Sequence, residues 1–427
     1  MDIAYIHSLF LNCSSVATDT RKIEPNSLFV ALRGENFDAN TFTKEAIEKG
    51  ASYVIIDNEK YFIDHRTLLV ENSLTALQLL AKYHRQYLKT PIISLTGSNG
   101  KTTTKELINV VLSKKFKTKA TLGNLNNHIG VPLTLLSFDN DTELGIVEMG
   151  ANHQKEIEFL CELALPDYGY ITNFGKAHLE GFGGVEGVIQ GKSEMYKYIS
   201  ANEKLAFINL DDAIQVDKSC DLGKFSFGIN NVNADVNISL VQANPFVEIQ
   251  FADLNIKTHL IGLYNASNIN AAIAIGKYFG VENSDVKEAL ESYIPENNRS
   301  QLINRGTNKI ILDAYNANPS SMAVAIENFL KINNATKMMI LGDMFELGTE
   351  SAHEHKTIVN LVSNNNEVTS YFIGKEFYCQ NVNRINIHFF ETFDSFSDYL
   401  KGIKIENCSI LIKGSRGMAL ERTLNFF

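Results

Sequence analysis

Long apolar runs, basic blocks and paired cysteines are all missing from this chain. No stretch approaches the roughly 18 consecutive apolar residues that cross a bilayer, so no membrane span is expected. The N-terminus carries Asp2 and no basic segment ahead of an apolar one, which argues against a secretory signal. No cluster of lysine and arginine stands out, and the formal net charge is −10. Both facts argue against nucleic acid as the main partner, and anionic substrates must be met by local basic groups. The five cysteines (Cys13, Cys161, Cys220, Cys379, Cys408) are far apart, odd in number and free of CxxC or Cys/His spacing. That pattern fits reduced thiols in a cytoplasm. Low-complexity segments and short-period repeats are absent too.

What is present is a globular composition, 44% hydrophobic and 21% charged. At 427 residues the chain exceeds one ordinary core, so two or three domains are expected, in a monomer. Residues 1–88 read as a small α/β unit, with strands at Ser27–Leu32 and Tyr53–Ile56 and helices around Thr43–Lys49 and Ser73–Tyr87. Lys89-Thr90-Pro91 reads as a hinge. In 89–295, strands at Ile92–Leu95, Leu144–Glu148, Tyr168–Thr172 and Leu205–Asn209 alternate with helices, which implies a parallel sheet. A β-rich stretch, Phe225–Leu260, interrupts the alternation, and a helix over Ala266–Tyr278 closes the unit. In 296–427, strands at Lys309–Leu312, Lys337–Leu341, Tyr371–Ile373 and Ser409–Ile412 suggest a doubly wound, Rossmann-like unit. The expected fold class is therefore α/β in three domains, with a parallel-sheet, phosphate-loop ATPase-like domain in the middle.

The most informative stretch opens that middle domain. Ile92-Ile93-Ser94-Leu95-Thr96 is an apolar β-type run that ends in Gly97-Ser98-Asn99-Gly100, and Lys101-Thr102-Thr103 starts a helix. Backbone N–H groups at such a turn and at a helix N-terminus form an anion cradle. Gly97 and Gly100 let the backbone approach phosphate closely, Lys101 can reach terminal phosphates, and the Thr102 hydroxyl can ligate Mg²⁺. The spacing is shorter than usual, two residues between the glycines instead of four. A plain glycine turn with a solvated lysine is the alternative, and the full strand–turn–helix context speaks for a nucleoside triphosphate.

Other constellations follow strands. Glu148 ends the strand Leu144–Glu148 and can hold Mg²⁺ beside the γ-phosphate, or else simply face water. His178 lies in Thr172–Gly184, a loop after the next strand, and reads equally as a metal ligand, a base or a loop residue without a role. Lys192, in isolation, reads as a helix-surface lysine. Asn126 and Asn127, within Gly123–Gly130, and Asn316 and Asn318, within Asp313–Ser321, offer amides to a polar ligand or serve turns and caps. Lys413-Gly414-Ser415-Arg416-Gly417 is a basic glycine turn that can bind a carboxylate or phosphate.

These segments, in this order and across essentially the whole chain, resemble the Mur ligases of peptidoglycan synthesis. The family-wide marks are TGSNGKTT at 96–103, Glu148, His178 and Lys192. GNLNNHIGVPLTLL at 123–136, TNFGKAHLEGFGG at 172–184, DAYNANPSSM at 313–322, LGDMFELG at 341–348 and KGSRGM at 413–418 resemble the dipeptide-adding branch. The resemblance implies a first domain for a uridine nucleotide, a second for ATP and a third that closes over both and brings the dipeptide. It implies UDP-N-acetylmuramoyl-tripeptide and D-alanyl-D-alanine as substrates, with ATP and Mg²⁺, and amide-bond formation through an acyl phosphate. It further implies Thr102 and Glu148 at one Mg²⁺, and His178, Glu148 and a carbamylated Lys192 at a second. Asn265 and Asn268 match adenine-side asparagines, Arg299 a phosphate-contacting arginine, Asp313 a ribose-binding acid, and Asp19-Thr20-Arg21 a uridine-nucleotide turn. Two departures stand out. Tyr264 replaces a common histidine, and Ala39-Asn40 replace a common Gly-His. A sister ligase, a folylpolyglutamate synthase and a silent nucleotide-binding scaffold are the competing readings.

Overall fold

The computed structural model describes residues 2–296, 298–334 and 336–427. The first sheet is all-parallel, with strands Val16–Ala17, Leu28–Val30, Tyr53–Ile56 and Thr67–Leu69 in spatial order. Its side chains alternate between two apolar clusters, Leu28, Val30 and Ile55 on one face and Phe29, Val54 and Ile56 on the other. Helix α1 (Ser73–Leu88) ends at Lys89, whose φ of 58° turns the chain before Pro91.

The expected hinge is pinned. The Arg85 guanidinium donates to the carbonyl of Ala164 at 3.0 Å and pairs with Asp167 at 2.8 Å, and Thr90 donates to the Thr142 carbonyl at 3.2 Å. Helix α1 therefore belongs as much to the second unit as to the first.

The central sheet has nine strands. Strand β1 (Ile92–Thr96) lies between β2 (Leu144–Glu148) and β3 (Tyr168–Ile171), all parallel. All five residues of β1 are buried, and its apolar side chains fall on both faces of the sheet, Ile92 on one and Ile93 and Leu95 in the cluster on the other. From β1 the chain crosses to Thr118–Ala120 at one edge, returns through β2, and passes to β3 on the other side. Loops leaving β1 and β3 thus diverge, and the crevice between them is where ligands bind in open α/β sheets. The β-rich stretch does not interrupt this unit. Gly223–Ile229, Val236–Ala243, Phe246–Phe251 and Leu254–Ile261 extend the same sheet, the last three as an antiparallel meander.

Helix α2 (Lys101–Leu112) follows the glycine turn, α3 (Val185–Lys192) follows β3, and α4 (Asn265–Tyr278) packs on α2, with Gly276 against Val111. The third sheet has six strands. Apart from the antiparallel edge Gln301–Arg305, all are parallel, including β4 (Asn308–Asp313), which lies beside β5 (Ser409–Lys413). Helix α5 (Pro319–Leu330) follows β4. Among the described residues, no helix is long and apolar enough to cross a membrane.

Candidate active site

The turn after β1 has the backbone that its glycines require. Gly97 has φ +140°, and a Cβ there would lie 2.0 Å from Thr172 Oγ1. Gly100 has φ +79°, and its Cβ would lie 2.8 Å from Asn268 Oδ1. No other residue type fits either place. The loop is braced by the segment after β3. Asn99 N–H donates to Asn173 Oδ1 at 3.0 Å, Thr172 Oγ1 donates to the Asn99 carbonyl at 2.6 Å, and Ser98 Oγ donates to the Gly175 carbonyl at 2.6 Å. No side chain caps the N-terminus of α2, so its first N–H groups stay open to an anion. The Lys101 ammonium lies folded onto its own loop, 2.7 Å from the Gly97 carbonyl. Burial pushes its pKa down, against the opposing charge of Glu148.

Glu148 does not face water. It is buried at the end of β2, level with Leu95 in register. Its Oε1 accepts from Asn126 Nδ2 at 2.7 Å, and Oε2 is buried without a partner. Asn126 therefore orients this carboxylate, a role its sequence context did not separate from substrate binding. An orphaned carboxylate oxygen and the Thr102 hydroxyl, which line one cavity, are hard oxygen donors of the kind Mg²⁺ takes together with nucleotide phosphates. Among the described residues no three acidic, histidine or cysteine side chains cluster as a ready cage.

A cavity of about 800 Å³ gathers most of the candidates. From the central unit it is lined by Ser98, Asn99, Gly100, Lys101, Thr102, Thr103, Asn126, Asn127, Glu148, His178, Asn265 and Asn268. From the third unit come Arg299, Asp313, Asn316, Asn318 and Lys413. Asn268 Nδ2 donates to Asn265 Oδ1 at 2.8 Å, and Thr104 Oγ1 donates to Asn268 Oδ1 at 3.1 Å, so both amides are fixed in place. Tyr264, in place of the histidine, reaches the Ser300 hydroxyl at 2.6 Å, and Ser300 N–H donates to Asp313 at 3.1 Å. Asn318 caps α5 and also donates to Asn99 Oδ1 at 2.7 Å. Lys413 does not present a free cation: its Nζ lies 2.6 Å from Asp313 Oδ2, because parallel register sets the two strand ends side by side.

Other candidates lie elsewhere. Gly97 sits behind the loop against Thr172. Lys192 is not a surface lysine. It is 1% exposed, with Nζ donating to the Ala151 carbonyl at 3.1 Å and lying 4.9 Å from the Phe182 ring centre. Ala151 lines the cavity, so Lys192 stands one residue behind its wall. Burial, reinforced by the charge of Lys101, holds the Lys192 pKa well below 10.5. His178, at φ +53°, is bonded through Nδ1 to the carboxylate of Glu346 in the third unit. Asp19, Thr20 and Arg21 lie in the first unit and line neither this cavity nor its neighbour. There Asp19 caps a short turn and accepts a fork from Arg21, which holds the carboxyl well below its usual range. Asn40 is buried, holding Asp38 and Asp57 together.

Sequence reasoning missed Thr172 and Asn173 as loop braces, Ser300 and Tyr264 as links across units, and Glu346 as the partner of His178. Thr172 and Asn173 had a sequence signal in their place directly after a parallel strand, Tyr264 in its departure from the family pattern, and Glu346 in its place within LGDMFELG.

Three family domains match the chain in order: "Mur ligase family, catalytic domain" over 12–85, "Mur ligase middle domain" over 95–276 and "Mur ligase, glutamate ligase domain" over 298–416. The chain is 36% identical over 422 residues to the UDP-N-acetylmuramoyl-tripeptide--D-alanyl-D-alanine ligase of Bacillus subtilis, covering 95% of this chain and 91% of that one. With the Escherichia coli protein of the same name, identity is 32% over 97% of this chain and 93% of that one. Crystal structure I of MurF from Acinetobacter baumannii superposes with a TM-score of 0.86 at 28% identity, covering 99% of this chain and 97% of that one. MurF from Thermotoga maritima in complex with ADP gives a TM-score of 0.83 at 26% identity, covering 98% and 97%. With its three domains in order and near full-length relatives above 30% identity, the chain belongs to the Mur ligase family.

Proposed function

We propose that this enzyme uses ATP to join D-alanyl-D-alanine to UDP-N-acetylmuramoyl-tripeptide, giving the pentapeptide, ADP and phosphate in peptidoglycan synthesis. One observation carries the reading: the phosphate loop and the buried, half-unpartnered Glu148 face the 313–321 segment of the third unit across one cavity. The near full-length likeness to D-alanyl-D-alanine ligases supports the choice of substrates. Residues 1–88 would hold the uridine nucleotide, with Asp19, Thr20 and Arg21 at its turn. Residues 89–295 would hold ATP, and 296–427 would close over it and bring the dipeptide. Five free thiols fit a cytoplasmic reaction.

In the first step an oxygen of the tripeptide carboxylate attacks the γ-phosphorus, and the bond to ADP breaks. In the second the dipeptide amine attacks the acyl carbon, and phosphate leaves. Lys101 swings from the Gly97 carbonyl to the transferring phosphoryl group, where its charge offsets charge that develops between two anions. The N-terminus of α2 holds the phosphates. Asn265, Asn268 and Asp313 place the adenosine side, Arg299 contacts phosphate, and the contacts between loop 173–180 and the third unit keep water from the acyl phosphate. Thr102 and Glu148 would hold one Mg²⁺, and His178, Glu148 and a Lys192 carbamate a second, neutralising phosphate charge when bound. Phosphate release that requires ATP, the nucleotide tripeptide and D-alanyl-D-alanine together is the expected result. Release with a single amino acid or with glutamate in place of the dipeptide would favour a sister ligase or a folylpolyglutamate synthase, and no release would favour a scaffold.

A further inference from the structure

The two donors proposed for one Mg²⁺ sit on different elements, Thr102 in the first turn of α2 and Glu148 at the end of β2. Their separation is set by whatever joins helix to strand. One helical turn beyond Lys101, α2 carries Lys105, which is 1% exposed. Its Nζ donates to the Thr121 carbonyl at 2.5 Å and pairs with Glu106 Oε1 at 2.6 Å. Thr121 is buried and directly follows the edge strand Thr118–Ala120. Its N–H donates to the Ile146 carbonyl at 2.9 Å, and its Oγ1 accepts from Glu148 N–H at 2.9 Å. Further along the same loop, Asn126 grips the Glu148 carboxylate. That amide is packed in place: Gly150 N–H donates to the Asn126 carbonyl at 2.7 Å, and a Cβ at Gly150 would lie 2.9 Å from the Asn126 side chain. Loop 121–126 thus holds Glu148 by both its backbone and its carboxylate, and Lys105 fastens that loop to α2.

We propose that Lys105 is a positioning residue for the metal site: through Thr121 it sets Glu148 relative to the Thr102 hydroxyl and the glycine turn, where a divalent cation on the nucleotide would be shared. The inference rests on the nucleotide-binding reading above. Packing alone does not call for a lysine at this place. Burying an ammonium costs far more than burying an alkyl chain unless its hydrogen bonds are made, and this one spends them on the loop that holds Glu148 and on Glu106. Glu106 balances its charge, so Lys105 acts as a tether, while Lys101 supplies the field at the phosphates. Neither Lys105 nor Thr121 lines the nucleotide cavity, so both act only through the residues they hold. Partners that orient a metal-binding carboxylate from behind govern metal affinity without touching the metal.

The test reads ADP affinity by titration calorimetry, once with Mn²⁺ and once in EDTA. It uses the wild type, K105M, T121V, E148A and the double variant K105M/E148A. In the wild type Mn²⁺ should tighten ADP binding, and E148A should lose most of that gain. K105M should lower the Mn²⁺-dependent gain by about tenfold or more, the usual cost of losing a partner that orients a metal-bound group, with affinity in EDTA unchanged. On the E148A background K105M should change the gain by less than about twofold, because its effect runs through Glu148. T121V keeps the carbonyl that Lys105 reaches and removes the hydroxyl that holds Glu148 N–H, so it should lower the gain in the same way and decides the matter if K105M does not fold. An unchanged gain in K105M or T121V overturns the proposal, as does a K105M effect that persists without Glu148. Equal loss in Mn²⁺ and in EDTA makes Lys105 a prop of α2 and also overturns it. A wild type indifferent to Mn²⁺, or an E148A variant that keeps the gain, overturns the Glu148 assignment and the proposal with it. A wild type that binds no ADP overturns the nucleotide reading as well.

Discussion

Two lysines, one half-buried on the cavity wall and one fully buried behind it, are set up for opposite tasks. Lys101 keeps company with Glu148 and rests on the Gly97 carbonyl, from which the mechanism proposed above moves it onto phosphate. Lys101→Ala should leave the fold intact and lower kcat by about 10²–10³, the cost of removing one donor that acts mainly in the transition state. Steady-state kinetics beside an unchanged circular dichroism spectrum checks it. Lys192 has no carboxylate within ion-pair distance among the described residues, and burial pushes its pKa well below 10.5, toward the neutral amine. A neutral amine adds CO₂: the N–C bond forms, a proton leaves, and an anion with two hard oxygens results. The sign of the linkage is definite. The folded pKa lies below the unfolded 10.5, so the unfolded chain binds the extra proton, and unmodified protein gains stability as pH rises toward 10.5. Carbamylation removes that penalty in the folded state alone. Bicarbonate at neutral pH should therefore raise Tm, give a ¹³C carbamate signal, and do neither in Lys192→Ala. That variant should lose most activity and regain part of it with acetate.

Elements carry the site because three strand ends and one helix start meet at the crevice. The glycine turn owes its shape less to its own sequence than to Thr172 and Asn173, which follow β3. Asn173→Ala removes two hydrogen bonds to Asn99 and should raise KM for ATP about tenfold with a smaller change in kcat, a split readable in initial rates. The turn, the three strands around it and α4 were legible in the sequence, since buried parallel strands are continuous apolar runs and glycine marks a turn needing positive φ. Short or edge strands were not. Val16–Ala17 and Thr67–Leu69 are too brief for a period, while Gln301–Arg305 and Ile387–Phe390 lie at sheet edges and bury little. Helix Ile3–Phe10 was also missed, although its Asp2 cap was visible. Pairings such as Lys413 with Asp313, or Asn126 with Glu148, were out of reach because register, not motif, sets them. Lys192 was misread for the related reason that eight helical residues do not reveal which face is covered.

At the scale of the whole molecule the central and third units share apolar packing around Ile261 and Phe174, and a set of polar contacts converges on loop 173–180 and the glycine turn. Lys176 pairs with Glu354 at 2.6 Å, its N–H donates to Ser320 Oγ at 2.9 Å, His178 bonds Glu346, and Asn318 reaches Asn99. Polar contacts of this kind can break and re-form, as the closure proposed above requires. Glu354 is buried and Lys176 half exposed, which places their pair above an ordinary surface bridge. Removing it should cost about 1 kcal/mol of closure, roughly fivefold in the closed-to-open ratio. A shorter closed lifetime exposes the acyl phosphate to water, which returns tripeptide and phosphate at the expense of ATP. Lys176→Met should therefore release more phosphate than pentapeptide, while the wild type keeps that ratio near one. Small-angle scattering with ADP should show a larger radius of gyration for the variant. A ratio of one together with an unchanged radius would mean that this pair does not hold the units closed.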